Sequence, residues 1–444
     1  MLYDILTMYE KNIFSTIWIK RCMMTKGKKE LFKSEDAADY LGLIPGLVMC
    51  LILMIVLIMN VADPNFAEEQ YVVFPQLFTV ADYLIIAAGI VQLGIAAKRK
   101  KLHFKKTDSL FAAFGLLIIL STCVNGFNIM TFDGVPYRYI GILNMMAFMI
   151  IYMGVSRSIN SDTMRSLVLF AYLAAADMIG AAVIYDLLTG GVAAFHNKKE
   201  LSAVFFNGNH YGYFLLMAVL IGLAFFLFEG GRAAVFGAVS SVLNLALLGI
   251  NHSLGCILAL IIVLVCTGIL ILTRDRIYIK KLAVLTAGLL TAFIFMFIIS
   301  PDIRNEFAGL ARDLAAIMDN TADGSAGHRR LQMWTLTCGY ISDRPLLGYG
   351  CEGIAFMLYE AMGVSNAHNE VLSYAAFYGI PAALFYTAGV LGVIGSTAID
   401  SSMNAPHKAA CMAAAGYFLS SFTGVGMFYT LPFFFIFLGL SSRS

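Results

Sequence analysis

Apolar residues in this chain neither alternate nor repeat on one helical face; they run almost unbroken for about twenty positions at a time and are separated by short polar stretches. At about 1.5 Å per residue, such a run matches the roughly 30 Å hydrocarbon core of a bilayer. Twelve runs are predicted as membrane spans: 42–61, 76–97, 108–127, 138–155, 166–188, 209–229, 233–250, 253–272, 282–300, 369–397, 409–425 and 428–442. The fold expected is therefore an all-α polytopic membrane protein. Its expected divisions are a basic N-terminal segment (1–41), nine spans (42–300), one large loop (301–367) and three further spans (368–444).

Composition agrees. Of 444 residues, 60% are hydrophobic and 13% charged, against about 25% charged residues in ordinary soluble domains. The first 41 residues do not read as a cleavable signal, because the apolar stretch from Ile13 to Ile19 is short and is followed by Lys20 and Arg21. They read either as an interfacial helix on the inner membrane surface or as a basic tail.

Charge placement gives an orientation, since cytoplasmic loops accumulate Lys and Arg. Lys11, Lys20, Arg21, Lys26, Lys28, Lys29 and Lys33 precede the first span, and Lys98, Arg99, Lys100, Lys101, Lys105 and Lys106 fill the next loop on that side. With Arg157, Arg165, Arg232, Arg274, Arg276, Lys280, Lys281, Lys408 and Arg443, that side holds 22 of the 30 basic residues. It is expected to be the cytoplasm, with both termini there.

The opposite side has short loops except at 189–208 and 301–367, and a loop of the second length is more often functional than not. That loop breaks the charge asymmetry with Arg304, Arg312, Arg329, Arg330 and Arg344. These either pair with Asp302, Glu306, Asp313 and Asp343 or await an anion. Cys338 and Cys351 lie in the same loop and could pair if it faces an oxidising space; Cys50, Cys123, Cys256, Cys266 and Cys411 fall in apolar runs, where a thiol is a small hydrophobe. No CxxC pair, nucleotide-binding glycine loop or metal-ligand spacing is present, so no cofactor, metal or nucleotide is expected. Downstream, Asp343-Arg344-Pro345-Leu346-Leu347-Gly348-Tyr349-Gly350 is rich in turn residues. The stretch from Ser365 to Leu372 then leads into an apolar run, with Ser365 or Asn366 expected as its N-cap. His368 is thereby placed at the mouth of a membrane helix, where the dipole favours a neutral imidazole that can act as a base.

Arg330, Trp334 four residues on, Pro345 to Gly350, and His368-Asn369 with Leu372 and Gly379 resemble the signature of the O-antigen ligase and polymerase family over about fifty residues. Phe205-Phe206-Asn207-Gly208-Asn209 resembles that family's Phe-x-Asn-x-Asn segment. Ser253-Leu254-Gly255 resembles its Ser-Arg-Gly segment, but with Leu254 in place of arginine. Glu200 stands where another arginine is common, and Lys198, Lys199 and His252 are the candidates to compensate.

The resemblance implies a GT-C-like membrane glycosyltransferase of the bacterial cytoplasmic membrane. It would move a polyprenyl-diphosphate-linked glycan to an acceptor hydroxyl at the outer face, with inversion and without metal. The acceptor is another lipid-linked glycan for a polymerase, and a lipid core, protein or wall polymer for a ligase. Membrane lipids and other polysaccharide export proteins are candidate partners; nucleic acid is not. In that chemistry Arg330, or Arg329 beside it, holds the leaving diphosphate and His368 is the general base. Asn369, Trp334, Lys199, Asn207, Asn209 and His252 are the candidate substrate-binding residues. A second reading, transport or flipping of lipid-linked glycans, rests on Asp177 and Asp186 within a span and expects Asp177 to face a central cavity. A third is a noncatalytic assembly partner, suggested by the two missing arginines.

Overall fold

The computed structural model describes residues 37–62, 77, 83–95, 97–98, 104–127, 129–136, 138–189, 196–197, 200–205, 207–319, 321, 327 and 329–442. The basic tail before residue 37, Lys198 and Lys199 lie outside the described residues.

The described chain is helical almost throughout. Its helices are α1 (Ala37–Ala62), α2 (Tyr83–Ile95), α3 (Lys106–Asn125), α4 (Ile129–Asp133), α5 (Ile142–Ser158) and α6 (Asp162–Thr189). After these come α7 (Gly208–Phe228), α8 (Gly231–Asn251), α9 (Leu254–Thr273), α10 (Ile279–Ile299), α11 (Pro301–Met318) and α12 (Arg330–Asp343). The last five are α13 (Ala355–Met362), α14 (Glu370–Tyr378), α15 (Ile380–Ala398), α16 (Ala405–Ser420) and α17 (Leu431–Ser441). A two-residue antiparallel strand pair, His196 opposite Leu201 and Asn197 opposite Glu200, precedes α7. Among the described residues, eight helices are long and apolar enough to cross a bilayer: α1, α3, α6, α7, α8, α9, the segment Arg276–Phe295 within and before α10, and α15. The apolar helices α2, α5 and α17 are shorter. This is a multi-pass membrane protein.

The centre is α7, nearly every residue of which is buried, with α8 packed along one side and α16 along another. α17 is buried along its whole length and packs on α16 and α5. Most of these helices are apolar all round, as expected where both neighbours and lipid are oily. The exception is α11, which is strongly amphipathic.

One expectation needs correction. The single span expected over 369–397 is two helices, α14 and α15, separated at Gly379 (φ 93°, ψ 161°), with Pro381 in the first turn of α15. The loop expected over 301–367 carries helices α11, α12 and α13.

The break explains the turn-rich motif at 345–350. Tyr349 and Gly350 donate their N–H groups to the carbonyls of Ala376 (3.0 Å) and Phe377 (2.8 Å), and Ile380 donates to that of Pro345 (2.8 Å). Ser121 of α3 adds a hydroxyl donor to Phe377 O at 2.9 Å. Backbone groups freed by the break are thus satisfied by protein, the condition under which a bilayer tolerates a broken helix. Both glycines are required by space: a Cβ on Gly379 would lie 2.1 Å from Leu346 O, and one on Gly348 would lie 2.4 Å from Ala376 O. The motif is a clasp that fixes α14, and α14 begins two residues after His368.

Candidate active site

The N-cap of α14 is Asn369, not Ser365 or Asn366: its Oδ1 accepts the Leu372 N–H at 3.0 Å. Asn366 instead accepts the His368 N–H at 2.8 Å, a local turn that holds His368 with φ 47°. Across from it, Arg329 (φ 68°) and Arg330 open α12. Trp334, one turn further along, donates its indole N–H to Ala367 O at 3.0 Å, tying the arginine-bearing helix to the histidine-bearing loop.

Between them lies a cavity of about 630 Å³, walled by His368, Arg329, Arg330, Asn209, His252 and Glu306, with Tyr213, Leu254 and Thr423 among the rest of its lining. That volume falls in the range of about 300–1,000 Å³ typical of small-molecule sites. His252, Arg329 and His368 all adopt the left-handed backbone conformation that non-glycine residues seldom take. Such outliers tend to gather where function over-determines the backbone.

Two side chains in this cavity stand out by what they lack. Among the described residues, neither the Arg330 guanidinium nor the His368 imidazole makes a hydrogen bond or ion pair. Both residues are half-buried. Burial is the main reason the His368 pKa falls to about 4, and the Arg330 and then the Arg138 cations add to it. The other loop arginines are engaged or point away. Arg304 Nη1 binds the carbonyls of Phe297 and Ile298, Arg344 Nη1 binds Asn125 Oδ1 at 2.8 Å, and Arg312 is exposed.

The remaining candidates divide. Arg329 lines the cavity and reaches Met362 O at 3.5 Å. His252, the left-handed C-cap of α8, lines it with its Nε2 3.8 Å from Asp302. Asn209 lines it from the first turn of α7, whereas Asn207 caps that helix by accepting the Asn209 N–H at 2.8 Å. Asn369 and Trp334 do not line the cavity. Cys351 is buried, taking the Tyr378 hydroxyl at 3.1 Å, and Cys338 is exposed; the two are not bonded to each other. Asp177 does not line the cavity either. Its Oδ1 accepts from Ser240 Oγ and Asn244 Nδ2, each at 2.8 Å, between α6 and α8.

Sequence reasoning missed three groups. Arg138 and Glu352 form a buried ion pair whose arginine is felt by His368, and burial pushes the Glu352 carboxyl up to about 7 while Arg138 opposes that rise. Arg138 was detectable, because it is another arginine away from the basic side of the membrane. His210, next to Asn209, is buried between the rings of Tyr213 and Tyr429, 5.4 Å from each. Glu370 is buried with the hydroxyls of Tyr386 (2.6 Å), Tyr374 (3.0 Å) and Tyr417 (3.4 Å) directed at its carboxylate. These tyrosines lie up to 47 residues away in sequence, so no local pattern reveals the cluster.

Chemically, a guanidinium and a neutral imidazole lining one cavity suit a reaction in which an anion leaves and a hydroxyl loses its proton. Residues 217–387 match the family model described as O-antigen ligase. The match runs from within α7 to within α15 and so takes in Arg329, Arg330, His252 and His368 but not Asn209 or Arg138. No curated protein matches the chain.

Proposed function

We propose that this protein, whose residues 217–387 match the O-antigen ligase family, is a glycan-transferring membrane enzyme of GT-C-like architecture at the outer face of the bacterial cytoplasmic membrane. Its donor is a polyprenyl-diphosphate-linked oligosaccharide, which enters from the bilayer with only its head group in the cavity. The acceptor is a hydroxyl of a second glycan or of a lipid.

The observation that carries this reading is that the Arg330 and His368 side chains line one cavity and are unpartnered among the described residues. His368 takes the proton of the acceptor hydroxyl as its oxygen attacks the anomeric carbon. The bond to the diphosphate breaks, and the departing charge is held by the Arg330 guanidinium with Arg329 beside it. A single displacement inverts the anomeric centre. A diphosphate is already a weak base, so charge stabilisation matters more than protonation, and a bidentate guanidinium supplies it. Asn209 and His252 are placed to meet sugar hydroxyls. Asn369 and Trp334 contribute by holding the helix mouth and the α12 contact.

The test is complementation of a deletion strain, with the size distribution of surface polysaccharide as readout. Arg330→Ala is expected to lower transfer by about 10²- to 10³-fold, the usual cost of one preorganised charge-stabilising donor. His368→Ala is expected to lower it by about 10²- to 10⁴-fold. Both variants should reach the membrane in normal amounts. Purified enzyme should keep its activity in the presence of a chelator. Normal polymer from both variants would overturn the assigned roles.

A further inference from the structure

α11 begins one residue after α10 ends. Ser300 lies between them, its Oγ accepting the Ile303 N–H at 3.3 Å, and Pro301 opens the new helix. A chain emerging from a membrane span at Ile299 therefore has no length in which to leave the bilayer boundary before it is helical again.

The junction is braced on both sides. Arg304 donates to the carbonyls of Phe297 (2.8 Å) and Ile298 (2.6 Å) at the end of α10, and the Phe307 ring meets that of Phe293 edge-on at 5.7 Å. Ile303, Phe307, Leu310, Leu314, Ile317 and Met318 then recur at three- and four-residue spacing, which puts them on one stripe. The first part of the stripe is covered, Ile303 being 4% exposed, but Leu314, Ile317 and Met318 are 52%, 46% and 82% exposed. The polar residues are not idle. Asp313 accepts the Gly327 N–H at 2.7 Å, Glu306 forms part of the cavity wall, and Asp302 stands 3.8 Å from His252. Asn305 and Arg312, on the side away from the stripe, are exposed.

We propose that α11 is an interfacial helix whose Leu314–Met318 stripe beds into the edge of the hydrocarbon layer where α10 ends, so that lipid seats the Glu306 wall of the cavity at head-group level. An amphipathic helix with an uncovered apolar stripe beside a span has the chemistry of a membrane-surface element. A lipid-borne head group would then slide past this helix instead of climbing out of the membrane. The seating itself does not depend on glycan transfer and can be tested without it.

The photo-crosslinking residue p-benzoylphenylalanine is introduced singly at Leu314, Met318, Asn305 and Arg312 of the full chain, reconstituted in phosphatidylethanolamine–phosphatidylglycerol nanodiscs. After irradiation, adducts are identified by mass spectrometry. Lipid acyl adducts are expected at 314 and 318 and lost at 305 and 312. Equal lipid labelling at all four positions would overturn the proposal, as would crosslinks from 314 and 318 that reach only protein, whether the same chain or a second copy. All four positions are exposed, so the probe should not disturb folding.

Discussion

At the scale of single residues, the proposed chemistry turns on a neutral His368 imidazole that shares a cavity with the Arg330 guanidinium. Burial, Arg330 and Arg138, in that order, lower the His368 pKa from its ordinary 6.5 to about 4, so the imidazole is a free base at every pH at which the cell envelope works. A cation disfavours a second positive charge, so removing Arg330 must raise this value. In Arg330→Gln, the His368 titration followed by NMR of labelled imidazoles is expected to move upward from about 4, while burial keeps it below 6.5. An unmoved titration would mean that the guanidinium does not face the ring. Bound diphosphate should act in the same direction, since it neutralises Arg330 and favours the imidazolium formed during transfer. His368 and Arg330 were singled out in the sequence by the motifs that resemble a known family, and Arg330 also by the cluster of arginines in a loop opposite the basic side. Glu370 was harder to read: it is the first residue of α14, where an acidic residue is ordinary, and only the fold gathers three tyrosines around it.

At the scale of elements, the site depends on α14 stopping short. A continuous helix from 369 to 397 would have no clasp at 345–350, and nothing would fix the register of the loop that presents His368. Gly379 makes the break possible, with φ and ψ in a region essentially reserved for glycine. Gly379→Ala is expected to cost about 1–3 kcal/mol in backbone strain alone. The contact of its Cβ with Leu346 O, 2.1 Å in the present geometry, would add to that. The check is a lowered thermal midpoint of the purified protein in detergent, with transfer falling as the clasp loosens. The break was not readable from hydropathy, because Gly379 and Pro381 interrupt an otherwise apolar run without adding charge. The glycines and prolines themselves were visible as turn signals. Their partners were not, since Pro345 and Ile380 are joined across an intervening stretch that contains α13 and α14.

At the scale of the whole molecule, the uneven distribution of Lys and Arg should fix the orientation, because basic loops resist translocation. A fluorescent protein fused after Ser444 is expected to be bright and an alkaline phosphatase fusion at the same point inactive, as both require for a cytoplasmic end. A phosphatase inserted next to Thr321, after α11, should be active; the reverse pattern would place the cavity on the wrong face for a lipid-linked donor. By itself the sequence determined that lipid is the main solvent of this chain, that its apolar runs become helices, and that Arg329, Arg330, His252, Asn209 and His368 deserved suspicion, since hydropathy, charge and short motifs are local properties. Tertiary structure alone decided that these five residues line one cavity, that Trp334 and Asn369 brace the loop and helix around it, and that Arg138 pairs with Glu352 while His210 is buried between two tyrosine rings. Convergence of side chains from α7, α8, α12 and the loop before α14 depends on how buried helices pack, and packing complementarity is written across the chain as a whole and not in any window of it.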